Sequence, residues 1–158
     1  MAKRDILKRL EKKLRSLGYA EQNLCSFNCN GIGVLYRMNE GTEQAYCIRM
    51  RWFVDDEEDR RVFFIAKRES LENINEDEID ILRFCNHWNL QGVPGTAVYD
   101  KEDGLRLYHT MPLPDRVDDT FLSYQIYYLP AAMSNEFFKE TEKFKWSEKG
   151  TEKCILKN

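Results

Sequence analysis

Cysteine and histidine are the residues through which this chain could bind a metal or act as a nucleophile. It has five cysteines and two histidines among 158 residues. Cys25 and Cys29 are four residues apart, and a tetrahedral zinc site would need further ligands from Cys47, Cys85 or His87. The paired short spacings of zinc fingers are missing, and Cys47 and Cys85 fall within apolar patterns. We therefore expect free thiols, no bound metal and no other cofactor.

Catalysis would require these groups to act together, and their positions do not favour it. Cys85 and His87 are two residues apart on a predicted helix, which places their side chains about 200° apart around its axis. His109 falls on a predicted strand. The carboxylates of 55–59 and 76–80 fit an exposed loop and a helix start. The chain also lacks phosphate-binding and hydrolase motifs, so we expect no enzymatic activity.

Composition limits the classes of protein to which the chain can belong. Apolar residues make up 42% of it, charged residues 32%, and the net charge is −3, which argues against disorder and against a disulfide miniprotein. No run approaches the roughly 20 apolar residues of a membrane helix, and the basic segment 1–18 lacks the apolar core of a secretory signal. We expect a cytoplasmic protein without a membrane span.

The first predicted helix is amphipathic with a basic outer face. Ile6, Leu10 and Leu14 follow a helical period, and Gly18 stands where the helix would stop. Such a basic face could bind nucleic acid or an anionic membrane surface. The remainder of the chain is acidic and shows no helix-turn-helix pattern, so the favoured interpretation is a solvated helix without a nucleic-acid partner.

Alternation of side chains predicts an antiparallel sheet with one face in water. In segment 45–54, Tyr46 and Trp52 point to one side while Arg49 and Arg51 point to the other. Five strands are expected, at 32–38, 45–54, 61–66, 96–99 and 105–111. With three helices, the predicted order is α-β-β-β-α-β-β-α. We expect a single α+β domain over 1–146, with helices packed on the sheet, and a flexible C-terminal tail at 147–158.

The second predicted helix has clear start signals. Asn75 can act as N-cap with Glu78 as its reciprocal partner, and Ile74 and Ile79 can form a hydrophobic staple. This helix should end before Gly92.

The last predicted helix runs from about residue 115 or 118 to about residue 144 and contains Pro130. Because proline has no N–H and clashes with the carbonyl of Ile126, we expect a kink or a break into two helices. The helix is apolar on more than one side and must therefore be covered on more than one side.

That excess of apolar surface gives the candidate partner-binding surface, which consists of Tyr124, Tyr127, Tyr128 and Phe138. Tyrosine brings a large contact area with a polar tip and suits a homodimer contact or a groove for a partner peptide. The alternative is a helix wedged between the sheet and the first helix of the same chain.

The central third of the chain carries a family resemblance. FCNHWN (84–89), Pro94, AVYD (97–100) and DGL (103–105) resemble the pattern of the YbjN family of bacterial sensory transduction regulators, and the order of elements agrees over 5–145. The chain departs from the pattern at Pro112, Pro114 and Pro130, and by DRVDD in place of a glycine-centred turn. The resemblance implies a fold similar to class I type III secretion chaperones, and no catalytic residue or cofactor.

Two hypotheses for function follow. The first is a non-enzymatic protein-binding or chaperone-like regulatory module, which has a protein client or a second copy of itself as partner and uses β-edge or helix-groove recognition. The alternative is a small-molecule sensing domain with a pocket between the sheet and the C-terminal helix.

Overall fold

The structure is a computed structural model, which describes residues 3–19, 24–27, 31–54, 61–69 and 77–144. Its strands are β1 (Leu24–Phe27), β2 (Gly31–Met38), β3 (Tyr46–Val54), β4 (Arg61–Glu69), β5 (Thr96–Asp100) and β6 (Gly104–Pro112). Its helices are α1 (Lys3–Ser16), α2 (Glu78–Leu90), a short α3 (Asp119–Phe121), a π-helical segment (Leu122–Tyr128) and α4 (Leu129–Lys143). The last three are continuous, and we call them together the C-terminal helix.

The sheet is antiparallel throughout, with the strand order β1-β2-β3-β4-β6-β5. The predicted α+β domain is confirmed, and five of the six strands are those expected from the sequence. The additional strand, β1, pairs with β2 from Leu24 opposite Val34 to Phe27 opposite Gly31. Four residues are too few to show a period of two, which is why the sequence indicated only a polar connector there.

The apolar core lies on one face of the sheet. Alternate residues of the strands, such as Trp52 and Phe64, are fully buried there against Leu10 of α1, Phe84 of α2 and Phe137 of α4. The sheet face formed by every second strand residue is thereby covered by helices, whose apolar side chains repeat about every 3.6 residues. We call the opposite side of the sheet the outer face, and none of its apolar side chains belongs to the described core or packs against it.

The second helix begins later than predicted. Its N-cap is Asp77, whose Oδ1 accepts a hydrogen bond from the Ile79 N–H at 3.2 Å. The expected cap at Asn75 is therefore wrong by two residues, because several capping side chains occur in succession and only packing selects one of them. Ile79 is 59% exposed and forms no staple within the described residues, while Ile74 and Asn75 themselves lie outside them.

Pro130 does not split the C-terminal helix, so of the two predicted outcomes, a kink or a break, the break is wrong. The preceding turns widen into the π-helical segment, in which the Leu129 N–H donates to the Tyr124 carbonyl five residues back. Pro130 has no N–H to donate to the Ile126 carbonyl, which accepts a hydrogen bond from the Trp52 indole Nε1 at 2.7 Å instead. A side chain of β3 therefore satisfies the backbone group that the proline leaves without a donor.

No described helix is long and apolar enough to cross a membrane. The tail predicted at 147–158 lies outside the described residues, as does the loop predicted at 55–59.

Candidate partner-binding surfaces

The structure divides the predicted tyrosine surface. Tyr124 and Tyr128 are 52% and 58% exposed, and their rings stack with centroids 5.8 Å apart. Tyr127 turns towards the sheet: its ring centroid lies 6.1 Å from that of Trp52, and its hydroxyl lies 3.3 Å from that of Tyr19. The π-helical segment thus presents one stacked tyrosine pair to solvent and uses its third tyrosine for packing.

Phe138 does not belong to this surface, and its assignment is corrected. It is 2% exposed, with its ring edge-to-face against Phe137 at 5.0 Å and against Tyr46 at 6.5 Å. α4 lies over the sheet with both phenylalanines inward, because two adjacent helical positions can share one wide apolar face. For Phe138, packing within one chain is therefore the correct interpretation.

The cysteine and histidine side chains considered for catalysis or metal binding do not form a common site within the described residues. Cys85 is buried, and burial raises the pKa of its thiol to about 11, which leaves it a poor nucleophile at neutral pH. His87 is exposed, with its Nε2 3.0 Å from the Gln91 amide nitrogen. Burial lowers the pKa of His109. No three metal-ligating side chains cluster within the described part of the chain, while the Cys25 and Cys29 side chains lie outside it.

The asparagine and tryptophan of the FCNHWN segment have a structural role at the sheet edge. The Asn89 side chain accepts from the Ala97 N–H at 2.8 Å and donates to the Ala97 carbonyl at 3.1 Å. Trp88 Nε1 donates to the Gly95 carbonyl at 3.3 Å. Asn89 therefore bonds β5 as a neighbouring strand would. A partner strand cannot pair with β5 at Ala97, which removes β-edge recognition at this position.

The outer face carries an aromatic ladder that crosses three strands. Phe53 of β3 lies opposite Phe63 of β4 in the register, and their rings stack with centroids 5.3 Å apart and planes 16° apart. Tyr108 of β6 continues the row, with its ring centroid 6.2 Å from that of Phe63. All three side chains are only half-buried, and Ile65 lies beside them on β4 opposite Tyr108.

Basic side chains share the outer face with the aromatic ladder. Those on the outer-face positions of the strands are Arg37, Arg49, Arg51, Arg61, Lys67 and Arg106. The acidic residues at these positions, Glu69 and Asp100, lie at strand ends and are already paired. Glu69 pairs with Arg49 at 2.5 Å, and Asp100 pairs with Arg106.

At the described strand positions of this face, basic residues outnumber acidic ones. Arg61 and Lys67 make no salt bridge with any described residue. The outer face therefore combines an apolar centre with basic groups that make no salt bridge to a described residue, which is the arrangement that an acidic partner would complement.

Sequence reasoning found only part of this surface. It placed Arg49 and Arg51 on the solvated face, but Phe53, Phe63 and Tyr108 come from three strands, and only the pairing register shows that they adjoin. A signal was present in the adjacent Phe63 and Phe64, since neighbours in a strand point to opposite faces and one of two large rings must leave the core.

The chain has no match among protein-family models, and no curated protein matches it. The YbjN resemblance of 84–105 stays a prediction. The partner class must therefore be inferred from the tyrosine pair, the outer face and the charges around it.

Proposed function

We propose that this protein is a non-enzymatic, chaperone-like protein-binding module that holds an extended segment of a client protein on its outer face. The observation that carries the proposal is the aromatic ladder of Phe53, Phe63 and Tyr108, which no described helix covers. Large aromatic rings at the centre of a basic rim are the residue types that dominate protein interfaces.

The charges of the outer face define the client. Arg61 and Lys67 flank the aromatic ladder without a salt bridge to any described residue, so a segment that alternates apolar and acidic side chains complements it. In an extended chain, every second side chain points the same way. The client segment would place its apolar side chains on Phe63 and Ile65 and its carboxylates at the rim.

A peptide suits this surface better than single-stranded nucleic acid. Base stacking needs a free ring face, and the stacked pair of Phe53 and Phe63 covers one face of each of these rings. The neighbouring aliphatic side chains, such as Ile65, offer no stacking partner.

The test is selection from a phage-displayed library of random linear peptides, followed by anisotropy titration of the selected peptides. We expect peptides that alternate apolar and acidic residues. Phe63→Ala should raise their Kd by about 30-fold, as for a central interface residue worth about 2 kcal/mol. Arg61→Gln should raise Kd less, with an effect that shrinks at high salt. Tyr124→Ala, on the opposite side of the sheet, is the matched control and should change nothing.

Three results would contradict the proposal. The library could yield no enriched peptide, or the selected peptides could bind Phe63→Ala as tightly as the wild type. A fluorescent oligothymidine that binds the wild type and is lost in Phe63→Ala would assign the outer face to nucleic acid instead.

A further inference from the structure

A second surface feature lies at one end of the sheet, away from the aromatic ladder. It is a cleft of about 730 Å³ between the β2–β3 turn, the start of β3, the end of β4 and the end of α4. A volume of this size is typical of small-molecule sites. Its walls are partly apolar, from Leu35, Ala45 and the Tyr46 ring, and otherwise polar.

Two of the acidic side chains that line the cleft are already engaged. Oε1 of Glu142 accepts from the Tyr46 hydroxyl at 2.7 Å and from the Asn39 amide at 2.9 Å. This tie fastens the end of α4 to the sheet. Glu69 pairs with Arg49 at 2.5 Å. Neither carboxylate neutralises the basic residue of the cleft.

That basic residue, Arg68, is held in place but has no ionic partner among the described residues. Its guanidinium carbon lies 4.1 Å from the centroid of the Tyr46 ring, a cation–π contact that fixes the plane of the guanidinium group. Its Nε is shielded from solvent without a hydrogen-bond partner, and the described side chains offer it no salt bridge. A positioned guanidinium in a cleft is the group that binds a carboxylate through two parallel hydrogen bonds.

We propose that this cleft binds a small organic monocarboxylate, with its carboxylate on Arg68 and its apolar body against Ala45 and Tyr46, which also line the cleft. The acidic residues Glu43, Glu69 and Glu142 also line the cleft, so a doubly charged phosphate would meet more repulsion than a singly charged carboxylate. The cleft shares Leu35 and Glu69 with the outer face, but it lies away from the aromatic ladder, and the proposal does not depend on the client proposed above.

The test uses benzoate as the probe and inorganic phosphate as the competing anion, with chemical shifts of the backbone amides of full-length protein as the readout. We expect benzoate to shift the amides of Ala45, Tyr46 and Cys47 in a saturable manner, and phosphate to leave them unchanged at the same concentration. Arg68→Gln should weaken benzoate at least about tenfold, and Arg68→Lys should weaken it less because one charged donor remains.

Arg61→Gln is the matched control, because Arg61 lies on the same strand about 23 Å away at 3.3 Å per residue. It should bind benzoate like the wild type. Shifts that map outside the cleft, equal affinity in Arg68→Gln, or phosphate binding as tight as benzoate would each overturn the proposal. The location of the benzoate shifts and the affinity for phosphate are measured on the wild type, so they test the proposal even if Arg68→Gln fails to fold.

Discussion

Trp52→Phe tests whether the indole stabilises the fold by donating a hydrogen bond to the Ile126 carbonyl, for which Pro130 provides no helical donor. In the wild type, Trp52 Nε1 donates to the buried Ile126 carbonyl at 2.7 Å. Phenylalanine keeps an aromatic ring but has no donor. Because Pro130 lacks an N–H, the carbonyl then has neither its helical donor nor the indole.

The magnitude follows from the two changes. Leaving a buried carbonyl without a partner costs about 1–3 kcal/mol, and the smaller ring adds a cavity term in a fully buried position. Pro130→Ala separates the two, since the N–H that this substitution restores can donate to the Ile126 carbonyl while the cavity stays. We expect Trp52→Phe to be less destabilising in the Pro130→Ala background by about 1 kcal/mol, which is the coupling energy of the double-mutant cycle.

The assay is urea unfolding of the four proteins followed by far-UV circular dichroism, because the substitution alters tryptophan fluorescence itself. The free energies are compared at equal slope against urea concentration. Additive effects, within about 0.5 kcal/mol, would refute the reasoning. In that case, the indole would contribute through its volume, and the carbonyl would be satisfied in another way.

Three further predictions follow from single contacts. Asn89→Ala should lower the free energy of unfolding by about 1–3 kcal/mol in urea titrations, because the Ala97 N–H and carbonyl lose their shared partner. Asn86→Ala, on the same exposed turn of α2, is the control. Equal effects of the two substitutions would contradict the role of Asn89 at the sheet edge. Tyr124→Ala with Tyr128→Ala should abolish self-association in sedimentation velocity if the stacked pair forms the predicted homodimer contact; a wild-type monomer at high concentration would remove that contact. Burial lowers the pKa of His109 below its ordinary value of 6.5, so the unfolded state binds more protons than the folded state between the two pKa values. The free energy of unfolding should therefore fall as pH decreases below about 6.5. His109→Gln should flatten that part of the stability profile, and an unchanged slope would refute the role given to His109.

Long periodic segments of this chain were predictable, whereas their fine adjustment was not. The strand from Tyr46 to Val54 alternates over nine residues, so local pattern alone is enough to assign it. The cap at Asp77, the brief pairing of β1 and the π-helical segment depend on tertiary contacts that no local window contains. Pro130 was identified as disruptive, but its accommodation required Trp52, which lies 74 residues from Ile126.

The candidate surfaces show the same limit. Helical spacing correctly marked Tyr124 and Tyr128 as excess apolar area, but it assigned Phe138 to the same surface because a pattern cannot tell which side of an apolar helix meets the sheet. The aromatic ladder was missed because it exists only once β3, β4 and β6 are placed in register. The Arg68 cleft likewise brings β2, β3, β4 and α4 together.

The one-sided arrangement of the helices has a consequence for solubility. An exposed sheet surface with phenylalanine at its centre can pack against the same surface of another molecule, which leads to aggregation. Here such stacking would oppose Arg61 and Lys67 of one molecule to the same cations of the other, and like charges brought together are costly. We therefore expect Arg61 and Lys67 to disfavour the stacking of two identical outer faces, while Phe63 stays accessible to a negatively charged segment.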